Sequence, residues 1–314
     1  MDEKKMIPTR DALGDGLLEL AEKFPQMRVV DVDVSKSVKT DLFAKKYPER
    51  HVNVGIAEQN AATFAAGMAT TGLMPVMATF AVFGSMRMLE QMRTSVCYPD
   101  LNVKLLCTHA GLTSANDGAT HQAIEDIGIY RSVPGIRVIM PADYVSAKKL
   151  MEKAFELHGP VYMRFTRDPV PVLYGQDESF EIGKGKVLRE GADIAVIALG
   201  DMVCQALAAA RALEKGGYGV RVVDMHTIKP LDEDLVLDCV ERCGGRVVVA
   251  EDHNVHGGLG DAVASVMARQ GRGRLRKIGI PDTYAESGPY LDLLEKYGLS
   301  AGHIESAARE LLQK

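Results

Sequence analysis

Glu58 is the one carboxylate in VGIAEQN, a stretch that runs on into AATFAAGMATTGLMPVMATF without a charged side chain. Burying an ionised carboxylate without a partner costs several kcal/mol or more, so a chain that carries Glu58 inward uses it as a proton site or a strong acceptor. The strand-like HVNVGI ends where a helix of small residues begins, which puts the carboxylate at a strand-to-helix junction beside the positive end of the helix dipole. Gly55 permits close backbone approach there. A helix-starting Glu held only by the dipole is the plainer alternative. Against it stands the helix that follows, so apolar that it is expected to be buried on all sides, in a core or a subunit interface.

A second constellation follows the apolar strand KLLC: the loop THAGLTSANDGATHQ places His109 and His121 on either side of Asp117, with Glu125 and Asp126 just beyond. Two imidazoles and carboxylates among small residues suit hydrogen bonding to a polyhydroxylated or anionic ligand, or acid–base work near neutral pH. A zinc site would need a third ligand at suitable spacing, which is missing, so no metal ligands are assigned. Further on, Gly257-Gly258-Leu259-Gly260 follows the strand RVVVAEDH and opens a helix. Such a junction can bind an anion, but a tight strand-to-helix turn is the favoured reading, with His253 and His256 structural or at an interface.

These residues need a scaffold, and the sequence predicts one. Short β-branched runs (MRVVDVDV, MPVMATF, NVKLLCTHA, IRVIMP) alternate with helical patterns at about Glu58 to Gly72 and through SMRMLEQMRTSV. That rhythm predicts an α/β fold of doubly wound βαβ units around a mostly parallel sheet, with ligands at the carboxyl ends of the strands. The pattern breaks at DPVPVLYGQDESFEIGKGK and resumes with ADIAVIALG, a helix through CQALAAARALEKGG, YGVRVVDMHTI, a helix from about Asp232 to Cys243, GRVVVAEDH and a final amphipathic helix from about His303 to Leu312. The expected division is a first domain over 1–170, a linker over 171–190 and a smaller α/β domain over 191–314.

With 314 residues, 46% hydrophobic and 25% charged, and a net charge of -5, the chain is neither disordered nor a polycation built for nucleic acid. It carries no apolar run long enough for a membrane span, and its start MDEKKMIPTR lacks the apolar core of a signal peptide; the expectation is a cytoplasmic protein. The five cysteines lie on apolar or helical patterns and read as reduced packing residues.

VGIAEQN, the TFAVF segment from Thr79 to Phe83 and the THAGLTSANDGATHQ loop together resemble the pyrimidine-binding half of transketolase, a thiamine-diphosphate enzyme family. HTIKPLDEDLV and HNVHGGLGDAV resemble that family's carboxyl-terminal domain, so the resemblance covers the whole chain. Gly14-Asp15-Gly16 matches the opening of the family's metal and diphosphate motif, but it lies inside the helical pattern RDALGDGLLELAEKF with no paired Asn following, and it reads as a surface Asp in a helix. The genuine motif belongs to an amino-terminal domain that this chain does not show. The resemblance is therefore to the carboxyl-terminal subunit of a split transketolase.

By that resemblance Glu58 contacts the aminopyrimidine of thiamine diphosphate and activates it, Phe80 and Phe83 pack on the ring, and Asp33 lies near the cofactor. A tyrosine common in the family is replaced here by Met86. His121 contacts the substrate carbonyl and hydroxyls and is the second catalytic residue, His109 and Asp117 line the sugar channel, and Arg10, Ser37 and Arg167 bind the phosphate of the acceptor. It further implies Mg2+ held by ligands of the amino-terminal subunit, sugar phosphates as substrates, and a heterotetramer with the cofactor at the subunit interface. Three rivals remain: the beta subunit of a 2-oxo acid dehydrogenase decarboxylase, against which the DGATHQ loop and the two arginines tell; a deoxyxylulose-phosphate synthase fragment, which should carry an arginine near Phe83; and a non-catalytic partner, which has no need of Glu58 and both histidines. A split relative acting on a branched or sulfonated sugar is a variant of the main reading.

Overall fold

The computed structural model describes residues 5–313. Its strands are, in chain order, β1 (Met6–Ile7), β2 (Met27–Asp31), β3 (His51–Asn53), β4 (Met74–Phe80), β5 (Lys104–Thr108), β6 (Arg137–Ile139), β7 (Val161–Arg164), β8 (Val170–Pro171), β9 (Lys186–Arg189), β10 (Ile194–Ala198), β11 (Val220–Asp224), β12 (Thr227–Lys229), β13 (Arg246–Asn254) and β14 (Arg274–Ile280). They form a seven-stranded sheet in the order β12-β6-β7-β5-β4-β2-β3, a five-stranded sheet in the order β14-β13-β10-β11-β9, and a small β1-β8 pair. Within the large sheet every neighbouring pair is parallel except β12 with β6. In the smaller sheet only β9 runs antiparallel.

The strands read as unbroken apolar runs because helices cover both faces of each sheet. Every residue of β4, β10 and β11 is buried. On one face the helix Thr9–Lys23 packs Leu13, Leu17 and Leu20 against Leu150, Met151 and Phe155 of the helix Tyr144–Glu156. That second helix starts with a capping box: Ser146 N donates to Asp143 Oδ1 at 2.7 Å and Asp143 N donates to Ser146 Oγ at 3.0 Å. The other oxygen of Asp143 accepts Leu173 N and Tyr174 N at 2.7 and 2.9 Å, so the start of the segment expected to be a linker is fastened to the first sheet's helical layer.

The α/β architecture of two parallel-rich units matches the expectation, with corrections in detail. In and beside the segment expected to be a linker, β8 pairs with β1 at one end and β9 joins the second sheet at the other. β12, from the carboxyl-terminal half, crosses to the edge of the first sheet, Thr227 opposite Ile139. Asp15 does lie within the helix Thr9–Lys23, yet it is half-buried and accepts a hydrogen bond from Tyr144 Oη at 2.7 Å rather than standing free on the surface. The helix after the Glu58 junction runs Glu58–Ala69 and buries Ala61, Ala62, Ala65 and Ala66, while Gln59, Asn60, Thr63 and Phe64 are exposed. It is one-sided within this chain, because alanines on a single stripe fill the close approach to β2 and β4 and leave the opposite stripe uncovered.

Candidate active site

The carboxyl ends of the parallel strands bring Asp31, Asn53, Phe80, Thr108 and Arg164 to one rim of the large sheet. Glu58, on the helix that follows β3, is 5% exposed. It is not without a polar partner: Arg87 Nη1 donates to Glu58 Oε1 at 3.0 Å, and the same guanidinium lies 4.1 Å from the centroid of the Phe83 ring. The apolar character of the run after Glu58 suggested an isolated carboxylate, because its partner comes from a different helix, Ala81–Met86, whose carboxyl cap is Arg87.

Phe80 ends β4 and Phe83 lies one helical turn on, so their rings stack with centroids 5.6 Å apart. Two further planar groups join them. The imidazole of His109 stacks on Phe80 at 3.8 Å, and His121 meets Phe83 edge-on at 5.4 Å. The register that sets Phe80 opposite Thr108 explains the first contact, since His109 follows Thr108 directly. His109 is buried, and its Nδ1 is 2.7 Å from Thr108 Oγ1. Burial, and then the charges of Arg10, Arg167 and His121, push the His109 pKa down to about 3, so this ring is neutral at physiological pH. His121 is half-buried, with Nδ1 2.9 Å from Thr120 Oγ1.

Arg10 and Arg167 come from opposite ends of the first half and are brought together by a clasp of hydroxyls. Thr166 N donates to Thr9 Oγ1 at 2.7 Å, and Thr9 N donates to Thr166 Oγ1 at 3.2 Å. Arg10 Nη1 then donates to the carbonyl of Ser37 at 3.2 Å, while Arg167 Nη1 donates to Ser114 O at 2.8 Å and Asp117 Oδ2 at 3.1 Å. Burial lowers the Arg10 pKa, opposed by Asp11 and reinforced by Arg167. Arg10 Nε is buried with no acceptor among the described residues. Two guanidinium groups with an unmet donor form a seat for an anion.

Asp33 is exposed, at φ 67°, and exchanges two hydrogen bonds of 3.1 Å with the Asn53 side chain, which closes the turn between the ends of β2 and β3. The buried acid of that strand end is Asp31, which accepts Val32 N, Val34 N and Thr40 Oγ1. Two carboxylates read with the histidine loop do not line it. Asp126 is fully buried and paired with Arg164 at 2.7 Å, and Glu125 folds back to accept Ile124 N at 3.1 Å. Of these acids only Asp117 is exposed, and it pairs with Arg167 at 3.1 Å.

In the second half, the GGLG turn binds an anion from its own chain. Leu259 N and Gly260 N donate to the two oxygens of Glu251 at 2.6 and 2.8 Å, and a Cβ at Gly258 would fall 2.0 Å from that carboxylate. The helix N-terminus is thereby satisfied internally. His253 is buried, its Nε2 accepting Gly128 N at 3.2 Å, while His256 is exposed.

A flat, nitrogen-rich ring fits the Glu58 pocket: the guanidinium of Arg87 is itself a planar N–H donor, and it is accommodated between the carboxylate and the Phe83 face. Among the described residues no group of three His, Cys, Asp or Glu is placed to hold a metal, and no helix is long and apolar enough to cross a membrane. Sequence reasoning missed Arg87. Its signal is only a basic residue one turn beyond Phe83, which a surface arginine would give equally.

The model of the transketolase pyrimidine-binding domain matches residues 5–172, and that of the transketolase C-terminal domain matches residues 183–304. A Methanocaldococcus jannaschii protein described as a transketolase C-terminal section is 43% identical over 308 residues, covering 97% of this chain and 96% of its own. A Clostridium sp. (strain MSTE9) protein, the 6-deoxy-6-sulfo-D-fructose transketolase subunit SqwH, is 37% identical, covering 97% and 94%. Among solved structures, a split gene transketolase described as an inactive beta4 tetramer superposes with a TM-score of 0.91 at 46% identity, covering 98% of this chain and 99% of that one.

Proposed function

The chain belongs to the transketolase family, and from that premise we propose that it is the carboxyl-terminal subunit of a split, thiamine-diphosphate-dependent transketolase. A separate amino-terminal subunit would bring the diphosphate-binding and Mg2+-binding residues, and the two chains would assemble as a heterotetramer acting on sugar phosphates. In this chain, 1–170 would form the pyrimidine-binding domain, 171–190 the connection and 191–314 the carboxyl-terminal domain. The observation that carries the proposal is the convergence of Glu58, the Phe80–Phe83 stack and both histidines on one rim of the large sheet.

Thiamine diphosphate, when bound, supplies the carbon nucleophile and electron sink by which a two-carbon ketol unit leaves a ketose phosphate and joins an aldose phosphate. Glu58 would share a proton with a ring nitrogen of the aminopyrimidine, at the position where it now receives Arg87, and Phe80 and Phe83 would orient that ring. Asp33 would sit at the outer margin. His121, half-buried beside Phe83, would move a proton at the sugar carbonyl and its neighbouring hydroxyl. His109, held neutral, would serve as a hydrogen-bonding wall with Asp117 opposite. Arg10, Ser37 and Arg167 would hold the terminal anion and set the reach of the sugar.

The deciding assay mixes this chain with its amino-terminal partner, thiamine diphosphate and Mg2+, and follows transfer from xylulose 5-phosphate to ribose 5-phosphate. A folded, cofactor-loaded complex without turnover would overturn the proposal, and decarboxylation of pyruvate would favour the dehydrogenase alternative. An arm with a sulfonated ketose tests the same two arginines on a different anion.

A further inference from the structure

The end of β13 reads Glu251-Asp252-His253-Asn254, and all four residues are buried. Glu251 serves the helix that follows and His253 serves Gly128. Asp252 and Asn254 reach instead into the first half of the chain. Leu112 N donates to both oxygens of Asp252, at 3.0 and 2.9 Å, and Asn254 N donates to Ile124 O at 2.8 Å. These contacts fall inside and at the end of the loop that carries His109 and His121. The fit is tight: Gly111 has φ 55°, and a Cβ there would lie 2.2 Å from the Asp252 carboxyl.

Asp252 is backed by Asp201, which is 2% exposed and accepts a hydrogen bond from Tyr290 Oη on Oδ2. Asp201 Oδ1 is buried without a hydrogen-bond partner among the described residues, and burial raises its pKa. Arg164 is the one buried guanidinium of this cluster, and it also serves Asp126. The groups around the two acids are Arg164, Asp126 and Tyr290, with Tyr162 Oη on Asp126 and Cys204 Sγ on the Asp201 carbonyl. Burial, and then the charge of Asp201, raise the Asp252 carboxyl well above the ordinary carboxylate range, opposed by the one positive charge of Arg164.

We propose that Asp252, backed by Asp201, is a positioning residue: it fixes the loop carrying His109 and His121 from the second half of the chain and makes the order of that loop fall as pH rises. This rests on the proposed reading of the two histidines as sugar-facing groups. The sign follows from burial: the Leu112 amide favours an ionised Asp252, but burial outweighs it, so ionisation is easier with the loop open to water. The order is therefore greatest below the ordinary carboxylate range and falls as pH rises from there toward the pair's raised pKa values.

The test is amide hydrogen exchange on the full chain between pH 4 and 9, corrected for intrinsic rates, reading Leu112 and residues 110–124 against the amides of β4. The wild type should lose loop protection with rising pH. Asp201→Asn removes one titrating carboxyl and its charge from beside Asp252, so its loop should lose less protection with rising pH than the wild type. Asp252→Ala should lose Leu112 protection while β4 is unchanged; if it does not fold, Asp252→Asn, which retains one acceptor, should show an intermediate value. With partner and cofactor, Asp252→Ala should lower kcat on the order of a hundredfold with cofactor affinity kept. Unchanged Leu112 protection in both Asp252 variants, or an Asp201→Asn pH response equal to wild type, overturns the proposal. A wild-type complex without ketol transfer whose loop nonetheless responds as described would sink the proposed function and leave the positioning role standing.

Discussion

Arg87 Nη1 donates to Glu58 Oε1 at 3.0 Å, from a guanidinium stacked 4.1 Å above Phe83. The arginine thus makes from this chain's own sequence the two contacts proposed for an aminopyrimidine: a planar N–H aimed at the carboxylate and a face laid on the ring. Arg87 is about half exposed, so the pair is held in water-like surroundings on one side and is worth about 1 kcal/mol at most. A bound cofactor ring must displace it. Replacing Arg87 with Ala should therefore tighten thiamine diphosphate binding to the assembled complex by up to about fivefold, measured by calorimetric titration. Weaker binding in the variant would mean that Arg87 assists the cofactor instead of competing with it.

Glu58→Gln keeps the size and the hydrogen-bonding reach of the side chain but cannot carry the proton. Ketol transfer should fall by on the order of a hundredfold or more. Stability should change little, because Arg87 is exposed enough to be solvated when its partner is lost. Thermal unfolding alongside the kinetics separates the two effects. A large drop in melting temperature with the remaining activity intact would make Glu58 a packing residue.

The seat formed by Arg10 and Arg167 predicts a split in kinetic parameters. Arg167→Ala removes one guanidinium and releases Asp117 from its 3.1 Å pair. KM for a phosphorylated acceptor should rise about tenfold or more, with little change for the unphosphorylated sugar. Equal losses on both substrates would show that Arg167 acts through the loop, by way of its bond to Ser114 O, and not through the anion.

Much of this was legible in the sequence and some was not, for one physical reason. Strands such as β4 and β10 announce themselves because burial on both faces demands continuous apolar residues, and Glu58 stood out because it breaks such a run. β14, written RLRKIGI, is only partly buried and so carries no comparable pattern. β12 is three residues whose placement is decided by a partner in the other half of the chain. Arg87 and Asp252 were invisible for the same reason. Each is defined by what it touches across the fold, and neither its type nor its spacing encodes that contact.

His109 sets an acid limit that can be isolated from the rest of the protein. Its pKa is lowered to about 3 by burial, with Arg10, Arg167 and His121 adding to the effect, against an ordinary 6.5 when unfolded. Between those values the unfolded chain binds the extra proton, so this contribution to stability is intact above about 6.5 and is lost as pH falls toward 3. His226, lowered to about 4 by burial, acts with the same sign, which makes a difference measurement necessary. His109→Gln should flatten the decline in melting temperature between pH 7 and 4 relative to wild type. An unchanged slope would show that His109 is solvated.

The uncovered stripe of the helix Glu58–Ala69 gives the last prediction. Phe64 is 40% exposed on that helix, and Ile56 and Met86, at 74% and 43%, flank the same junction. Three large apolar side chains around Glu58 suit a surface that another subunit covers, while single apolar residues on a surface would need no explanation. Charge placed there should be rejected by a partner but tolerated by the monomer, whose core uses only the alanine stripe. Phe64→Asp should therefore weaken association with the amino-terminal subunit and with a second copy, read by analytical ultracentrifugation, while the melting temperature of the isolated chain at low concentration stays within a few degrees of wild type. Activity should fall in proportion to the fraction assembled and recover at high subunit concentration. If assembly is intact in the variant, the interface lies elsewhere and the exposed stripe belongs to the cleft alone.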